Sequence, residues 1–355
     1  MKSLLYNKQT LSFRFKTITS GIIISLTVFS LQAQDRKRTK VHIGLVYPVS
    51  SNGSKAGLDT NNLSLNLIAG LSAAEEGVAV AGLSNIVRDH SKGILVAGLS
   101  NHIRNRAEGT TVSGFLNTYG SGKGVAVAGF TNISGDMKGA QVAGFANLSK
   151  DMEGFQLAGF MNKSGNTSTQ ISGFMNIAKK VKGTQISAFI NVADSSDYPI
   201  GFLNLIKNGE KSISAGIDDN QTLLLSFRSG GKFLYGILGL GYNVKNDKEV
   251  YAFEAGLGAH LLHYNTFRLN LELASTGLTR FKSEGTFKSS IRVLPAWRVS
   301  SHIELFGGPS LNLINADSEE GRDMVHSYMR RWDSSNSNRF TGLYLGYIAG
   351  VQVLF

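Results

Sequence analysis

From residue 212 to the end of the chain, apolar and polar positions alternate with a period of two. One face of 251–264 carries Tyr251, Phe253, Ala255, Leu257, Ala259 and Leu261, and the other Ala252, Glu254, Gly256, Gly258 and His260. Phe267, Leu269, Leu271 and Leu273 alternate with Arg268, Asn270 and Glu272, and Ile291, Val293, Trp297 and Val299 with Arg292 and Arg298. Leu343, Leu345, Tyr347, Ala349, Val351, Val353 and Phe355 share a face opposite Gly346, Gly350 and Gln352. Successive side chains of a strand point to opposite faces, so the pattern predicts strands with one apolar face and one face carrying charges of both signs. Eight are expected, near 212–217, 222–228, 232–244, 250–264, 267–273, 286–299, 302–314 and 340–355. Connections at 229–231, 265–266 and 300–301 are tight, whereas 274–285 and 315–339 are long and polar. This alternation, with several segments of twelve or more residues, favours a barrel crossing a bilayer obliquely over a soluble sandwich. Residues 41–71 add two alternating segments: Val41, Ile43, Leu45 and Tyr47, then Leu63, Leu65, Leu67 and Ala69. Counting them predicts an antiparallel barrel of about 8–10 strands, with 41–49 closing against 340–355.

Between these stretches, in residues 77–205, the pattern is a repeat. Gly-(Leu or Phe)-x-Asn recurs nine times, ending at Asn85, Asn101, Asn117, Asn132, Asn147, Asn162, Asn176, Asn191 and Asn204. The intervals are 16, 16, 15, 15, 15, 14, 15 and 13 residues, and only the eighth copy replaces its Gly, by Ala188. In the first eight copies, eight residues before the Asn stands Gly (77, 93, 109, 124, 139, 154, 183), with Ser168 in the seventh. Five before it is Val80, Val96, Val112, Val127, Val142, Leu157, Ile171 or Ile186; two before it is Leu83, Leu99, then Phe115, Phe130, Phe145, Phe160, Phe174, Phe189 and Phe202. Short, near-constant spacing marks stacked units that bury a face against their neighbours. Positions three apart on a straight strand face opposite ways. Either the strand is buried on both sides, or the small Ala-Gly or Ser-Gly pair bends the chain and turns the Val and Phe columns into one core. The bend favours a β-solenoid of about 15 residues per repeat, with the asparagines forming a structural ladder and Gln141, Gln156, Gln170 and Gln185 a second. An antiparallel meander would make alternate copies differ, and they do not. No copy carries chemistry the others lack, which argues against a catalytic centre in this region.

Composition and the N-terminus then place the chain. It has 41 Gly and 4 Pro in 355 residues, in keeping with an all-β fold rich in tight turns. Residues 1–33 read as a signal peptide: Lys2, Lys8, Arg14 and Lys16 precede an apolar stretch, no acid occurs before Asp35, and Leu31-Gln32-Ala33 forms a small-residue cleavage site. Without them, four of the 36 Lys and Arg and none of the 25 Asp and Glu are lost, and the net charge falls from +11 to +7. Residues 34–40 form a polar leader containing Arg36, Lys37, Arg38 and Lys40. No basic patch interleaved with aromatics remains, so nucleic acid is not an expected partner. The absence of Cys excludes disulfides, thiol catalysis, thiolate metal sites and a lipoprotein anchor. Any membrane attachment must come from the fold.

Two resemblances follow. The terminal Phe355 on a strand with apolar residues at every second place resembles the C-terminal signature of bacterial outer-membrane barrels. The Gly-x-Gln-(Val/Ile/Leu)-(Ala/Ser)-Gly-Phe-x-Asn repeat resembles that of the bacterial cell-envelope "surface repeat" proteins. So do Val46-Tyr47-Pro48-Val49, Thr60-Asn61-Asn62-Leu63-Ser64-Leu65-Asn66 and Pro199-Ile200-Gly201-Phe202-Leu203-Asn204, across nearly all of 41–355. The resemblance implies an exported, outer-membrane-associated protein and brings no catalytic residue with it. Outer-membrane lipid is the expected partner, with an extracellular or envelope macromolecule as a second. A periplasmic C-terminus makes 315–339 external and sets the repeat block below the barrel or in its mouth.

Candidate chemistry is sparse. His260 and His263, three apart on a strand, are expected on opposite faces and unable to share a metal. Gly236-Ile-Leu-Gly239-Leu-Gly241 lacks the strand–turn–helix context of a phosphate loop and reads as close packing. The inward set Arg228, Glu254, Arg268, Glu272, Arg292, Arg298 and Glu304 is expected to pair inside a narrow barrel. A hydrolase built from His260, Glu254 and Ser310, or a small pore, are the alternatives to a non-enzymatic structural or surface-interaction role. Glu319, Glu320, Arg330, Arg331 and Trp332, in the longest loop, are the candidates for external contact. No cofactor is expected.

Overall fold

The structure, a computed structural model, describes residues 38–245, 250–279, 281, 285–316, 321, 323–333 and 340–355. The expected signal segment lies outside the described residues, as do 34–37 of the leader. The fold is all-β: a β-solenoid of about 10 turns at ~15-residue spacing, followed by a closed 8-strand antiparallel barrel.

Through the repeats, strands pair in parallel with those one turn later, and the repeat asparagines stand in register. Asn85 stands beside Asn101, Asn101 beside Asn117, and so on to Asn191 beside Asn204. The glycines explain why such close stacking is possible. A Cβ on Gly98 would lie 2.0 Å from the Gly82 carbonyl oxygen, and one on Gly144 2.1 Å from that of Gly129. At the start of the repeat, Gly93, Gly124 and Gly139 hold φ at 129°, a conformation that favours glycine.

The chain does bend at the small pair, but the Val and Phe columns turn outward. The expectation of one apolar core is therefore corrected. Phe115, Phe130, Phe145, Phe160, Phe174 and Phe189 stack on the outer surface with ring centroids 4.8 to 5.5 Å apart. The interior mixes small and amide side chains with a few larger apolar ones: Ala79, Ala97, Ala126, Ala143, Ala158, the Gln column and every repeat Asn are buried, as are Val87, Leu95, Ile103, Tyr119, Met137 and Met152. Register stacking brings identical side chains together on both surfaces, so the Phe column gains ring contacts outside while the amides gain hydrogen bonds within.

Residues 41–71 are the first turns of the solenoid and contribute nothing to the barrel, which corrects the second expectation. Arg38–Val46 pairs in parallel with Thr60–Asn66, and that strand with Ala74–Ala81. Arg38–Lys40, expected in a polar leader, already belong to the first strand, with Arg38 opposite Thr60. The error has a physical cause. A solenoid strand with Val41, Ile43 and Leu45 outside and His42 inside alternates just as a barrel strand does.

The barrel strands are Lys211–Asp218, Thr222–Gly230, Leu234–Asn243, Tyr251–Tyr264, Phe267–Thr279, Gly285–Arg298, Ile303–Ala316 and Phe340–Leu354. Each pairs antiparallel with the next, and Lys211–Asp218 closes the ring against Phe340–Leu354, from Ser212 opposite Leu354 to Asp218 opposite Ile348. This closure leaves no edge for 41–49. An additional strand, Arg330–Asp333, pairs with the start of the last barrel strand.

Candidate functional site

The barrel interior concentrates the titratable groups. Strand alternation points Ser212, Ser214, Ser226, Arg228, Glu254, Arg268, Glu272, Lys288, Arg292, Glu304 and Gln352 inward, and all are buried. At the centre, Arg228 Nε donates to Glu272 Oε1 at 2.7 Å, and Tyr235 Oη donates to the same oxygen at 3.0 Å. Arg228 also donates to Ser214 Oγ and lies over the Phe306 ring, 5.1 Å from its centroid. Arg292 Nη1 lies 2.7 Å from Glu254 Oε1 and 3.6 Å from Glu272 Oε2, while Ser226 Oγ donates to Glu254 Oε2 at 2.6 Å. Toward the tight turns, Arg268 bridges Glu210 at 2.5 Å and Glu304 at 2.8 Å, and Gln352 Nε2 donates to Glu304 at 2.7 Å. Toward the long loops, Lys288 pairs with Asp218. Each buried carboxylate thus has a cation and each cation a carboxylate, the condition under which buried charges are tolerated.

Lys288 and Asp218 were absent from the expected set, although the signal was present: 288 shares the parity of Arg292, and 218 that of Ser212 and Ser214. Arg298 sits at the rim instead, partly exposed, 3.9 Å from both Glu210 and Glu304. Past the Lys288–Asp218 pair, Leu224, Leu278, Ile314, Phe340 and Tyr344 pack with Met324 of the long loop. The inner cavity among Glu210, Arg228, Tyr235, His260 and Arg268 amounts to ≈ 10 Å³, about the space of one water. Side chains therefore fill the barrel, and the repeat block does not occupy it.

The hydrolase trio is not assembled. His260 Nδ1 lies 2.6 Å from Asn270 Oδ1 with its ring stacked on Tyr235, Glu254 is held by Arg292 and Ser226, and Ser310 accepts from Asn312. His260 and His263 are not on opposite faces. A bulge between His260 and Leu262 breaks the alternation, and both line a cavity of ≈ 710 Å³ at the turn-side mouth, with Lys232, Arg268, Arg298 and His302. Among the described residues no group of three or more His, Asp or Glu is arranged to hold a metal ion.

The outer wall is the reverse of the interior. Leu225, Leu240, Phe253, Leu273, Phe287, Ile291, Trp297, Leu305, Leu345, Tyr347 and Val351 are exposed around it. No helix among the described residues is long and apolar enough to cross a membrane.

In the solenoid, the nine asparagines form one buried column. Each Nδ2 from Asn85 to Asn191 donates to the next Oδ1 at 2.9 to 3.0 Å and to a backbone carbonyl of the following turn. Gln156, Gln170 and Gln185 each donate to the preceding Gln at 2.9 to 3.0 Å. The column ends on the barrel: Asn204 N donates to Ser229 Oγ at 3.0 Å and Asn204 Nδ2 to Ser229 O at 3.2 Å. Gly236 makes this junction possible, since a Cβ there would lie 2.2 Å from the carbonyl oxygens of Gly201 and Phe202. At the other end, Glu75 is buried and accepts from Asn61 and Ser64. Burial raises its carboxyl pKa above the ordinary value, outweighing the lowering by these hydrogen bonds.

Of the loop candidates, Glu319 and Glu320 lie outside the described residues. Arg330, Arg331 and Trp332 are exposed on the added strand, with Arg330 over the Trp332 ring at 5.2 Å and Arg331 paired to Asp333 at 3.0 Å. Comparison with family models, with curated proteins and with solved structures finds no match for this chain.

Proposed function

We propose that this chain is an exported, non-enzymatic outer-membrane protein whose barrel spans the bilayer and whose repeat block serves a structural or surface-interaction role. The observation that carries the reading is the inverted barrel: paired ions inside, a continuous apolar wall outside. In water such a wall would be an aggregation liability, whereas in lipid it is the required surface. Strands of up to 15 residues and an even strand number agree with a small transmembrane barrel. With the tight turns in the periplasm, the strand Arg330–Asp333 faces outward and offers Arg330, Arg331 and Trp332 to a partner.

The filled interior supports a scaffold over a pore, and the separation of His260, Glu254 and Ser310 supports a scaffold over a hydrolase of that design. The test is fractionation of producing cells combined with a heat-modifiability gel. The reading requires the chain in the outer-membrane fraction, migrating faster unboiled than boiled. Recovery in a soluble fraction, with no shift on boiling, would refute it.

A further inference from the structure

The solenoid has an exposed surface that the proposed role leaves unused. In the first eight copies, the nine residues from eight before the Asn to the Asn itself contain no Asp, Glu, Lys or Arg. Charges between Glu76 and Lys207 fall almost entirely on the rest of the turn, as at Lys92, Arg106, Lys138, Lys150, Glu153 and Lys182. Each turn is thus half apolar and half charged, and stacking aligns the halves into two opposed edges.

The apolar edge is crested by the Phe stack. Its six rings, from Phe115 to Phe189, are 37 to 46% exposed. At roughly 200 Å² per Phe, this leaves on the order of 500 Å² of ring surface open. Outward Val, Ile and Leu from the same turns widen the patch beyond the largest that a typical soluble monomer exposes. From Leu83 to Phe202 it runs over eight turn intervals, about 38 Å at the ~4.8 Å strand spacing.

The edge is continuous with the barrel wall. Phe202, its last member, shares a groove of ≈ 550 Å³ with Leu257, Leu273, Ile291, Leu311 and Leu343 of the barrel's outer face. Two apolar surfaces that meet in one groove border one medium. The solenoid, like the barrel, keeps polar side chains within, its Asn and Gln ladders, and sets an apolar column, its Phe stack, outside. Its junction lies at the hairpin beside the tight turns, where Asn204 meets Ser229.

We infer that the Phe edge of the solenoid is a second lipid-contacting surface, seated among the acyl chains of the leaflet on the turn side, with the charged edge in water. It therefore sits as an interfacial element beside a spanning one. This rests on the barrel spanning the bilayer, so the experiment must separate the two claims.

The chain has no Cys, which permits single-site labelling of the full-length protein. Phe145→Cys, Phe160→Cys, Lys138→Cys, Lys150→Cys and Leu345→Cys would each carry a small fluorophore, in vesicles of phosphatidylcholine and phosphatidylglycerol with or without bromines on the acyl chains. Heat-modifiability checks each variant for folding. The inference requires the Phe145 and Phe160 labels to lose fluorescence to brominated lipid by a fraction similar to the Leu345 label, with no loss at Lys138 and Lys150. Quenching at Leu345 but not at Phe145 or Phe160 would overturn it while leaving the spanning barrel intact. That pattern, with pyrene excimers at Phe145, would assign the edge to a second copy of the chain. No quenching at Leu345 would remove the barrel reading and this inference with it.

Discussion

The solenoid and the barrel both enclose polar groups and expose apolar columns, but they satisfy those enclosed polar groups in opposite ways. In the solenoid the repeat Asn meets an identical amide one turn on, so from Asn85 to Asn204 this ladder is neutral and uniform. In the barrel, buried guanidinium groups and carboxylates meet across strands far apart in sequence, as Arg228 and Glu272 do. Ladders need only register, which stacking supplies at every turn. Ion pairs need a particular partner in a particular place. Damage to a ladder should therefore stay local and modest, whereas damage to a buried pair should strand a charge.

The largest effect is expected from Glu272→Ala, which strips Arg228 and Tyr235 of their shared acceptor. Removing one member of a buried pair destabilises by about 3–5 kcal/mol. The unfolding midpoint of the heat-modifiable band should fall accordingly, while replacement of the exposed Leu345 by Val should leave it nearly unchanged. Next comes Gly144→Ala, whose methyl would lie 2.1 Å from the Gly129 carbonyl. A loss on the order of 3 kcal/mol is expected, read as faster amide hydrogen exchange in the adjacent turns. If Gly144→Ala exchanges like the parent, the close-stacking account of the corner fails.

Asn147→Ala opens the ladder at its middle. It leaves Asn132 Nδ2 with backbone acceptors alone and takes the Asn147 donor from Asn162 Oδ1, and should lose about 1–3 kcal/mol, with exchange rising in residues 132–162 and not in the barrel. A rise that spread into the barrel would contradict the local character of the ladder. The smallest effect is the pH dependence at Glu75. A carboxyl whose folded pKa is raised contributes stability that is full below its unfolded value, near 4.5, and is lost as pH rises through the folded value. Protection in residues 60–81, corrected for the intrinsic rise of amide exchange with pH, should therefore weaken from pH 4.5 upward, and Glu75→Gln should flatten that trend. An unchanged pH profile in Glu75→Gln would assign the trend to another group.

Much of this architecture was legible in the sequence, because both regions repeat a simple instruction. Constant spacing of the Asn column required stacking in register, and period-two alternation located the eight barrel strands. Alternation does not say which face is inside. The Val and Phe columns were read into a core because apolar residues usually belong there. The same ambiguity placed 41–71 in the barrel. Lys288 and Asp218 lay at readable parity but at strand ends, where boundaries are least certain. The bulge at His260 carries no residue signature, so the shared orientation of His260 and His263 could not be derived from spacing.

The central claim is that the apolar barrel wall borders lipid, and Trp297 reports on it without a label. It projects from the wall, 53% exposed, and the chain's other Trp, Trp332, lies on the loop strand and can be replaced by Phe. In Trp332→Phe protein reconstituted into vesicles, Trp297 emission should be quenched by brominated acyl chains and protected from aqueous acrylamide. Quenching by acrylamide with indifference to brominated lipid would contradict the account.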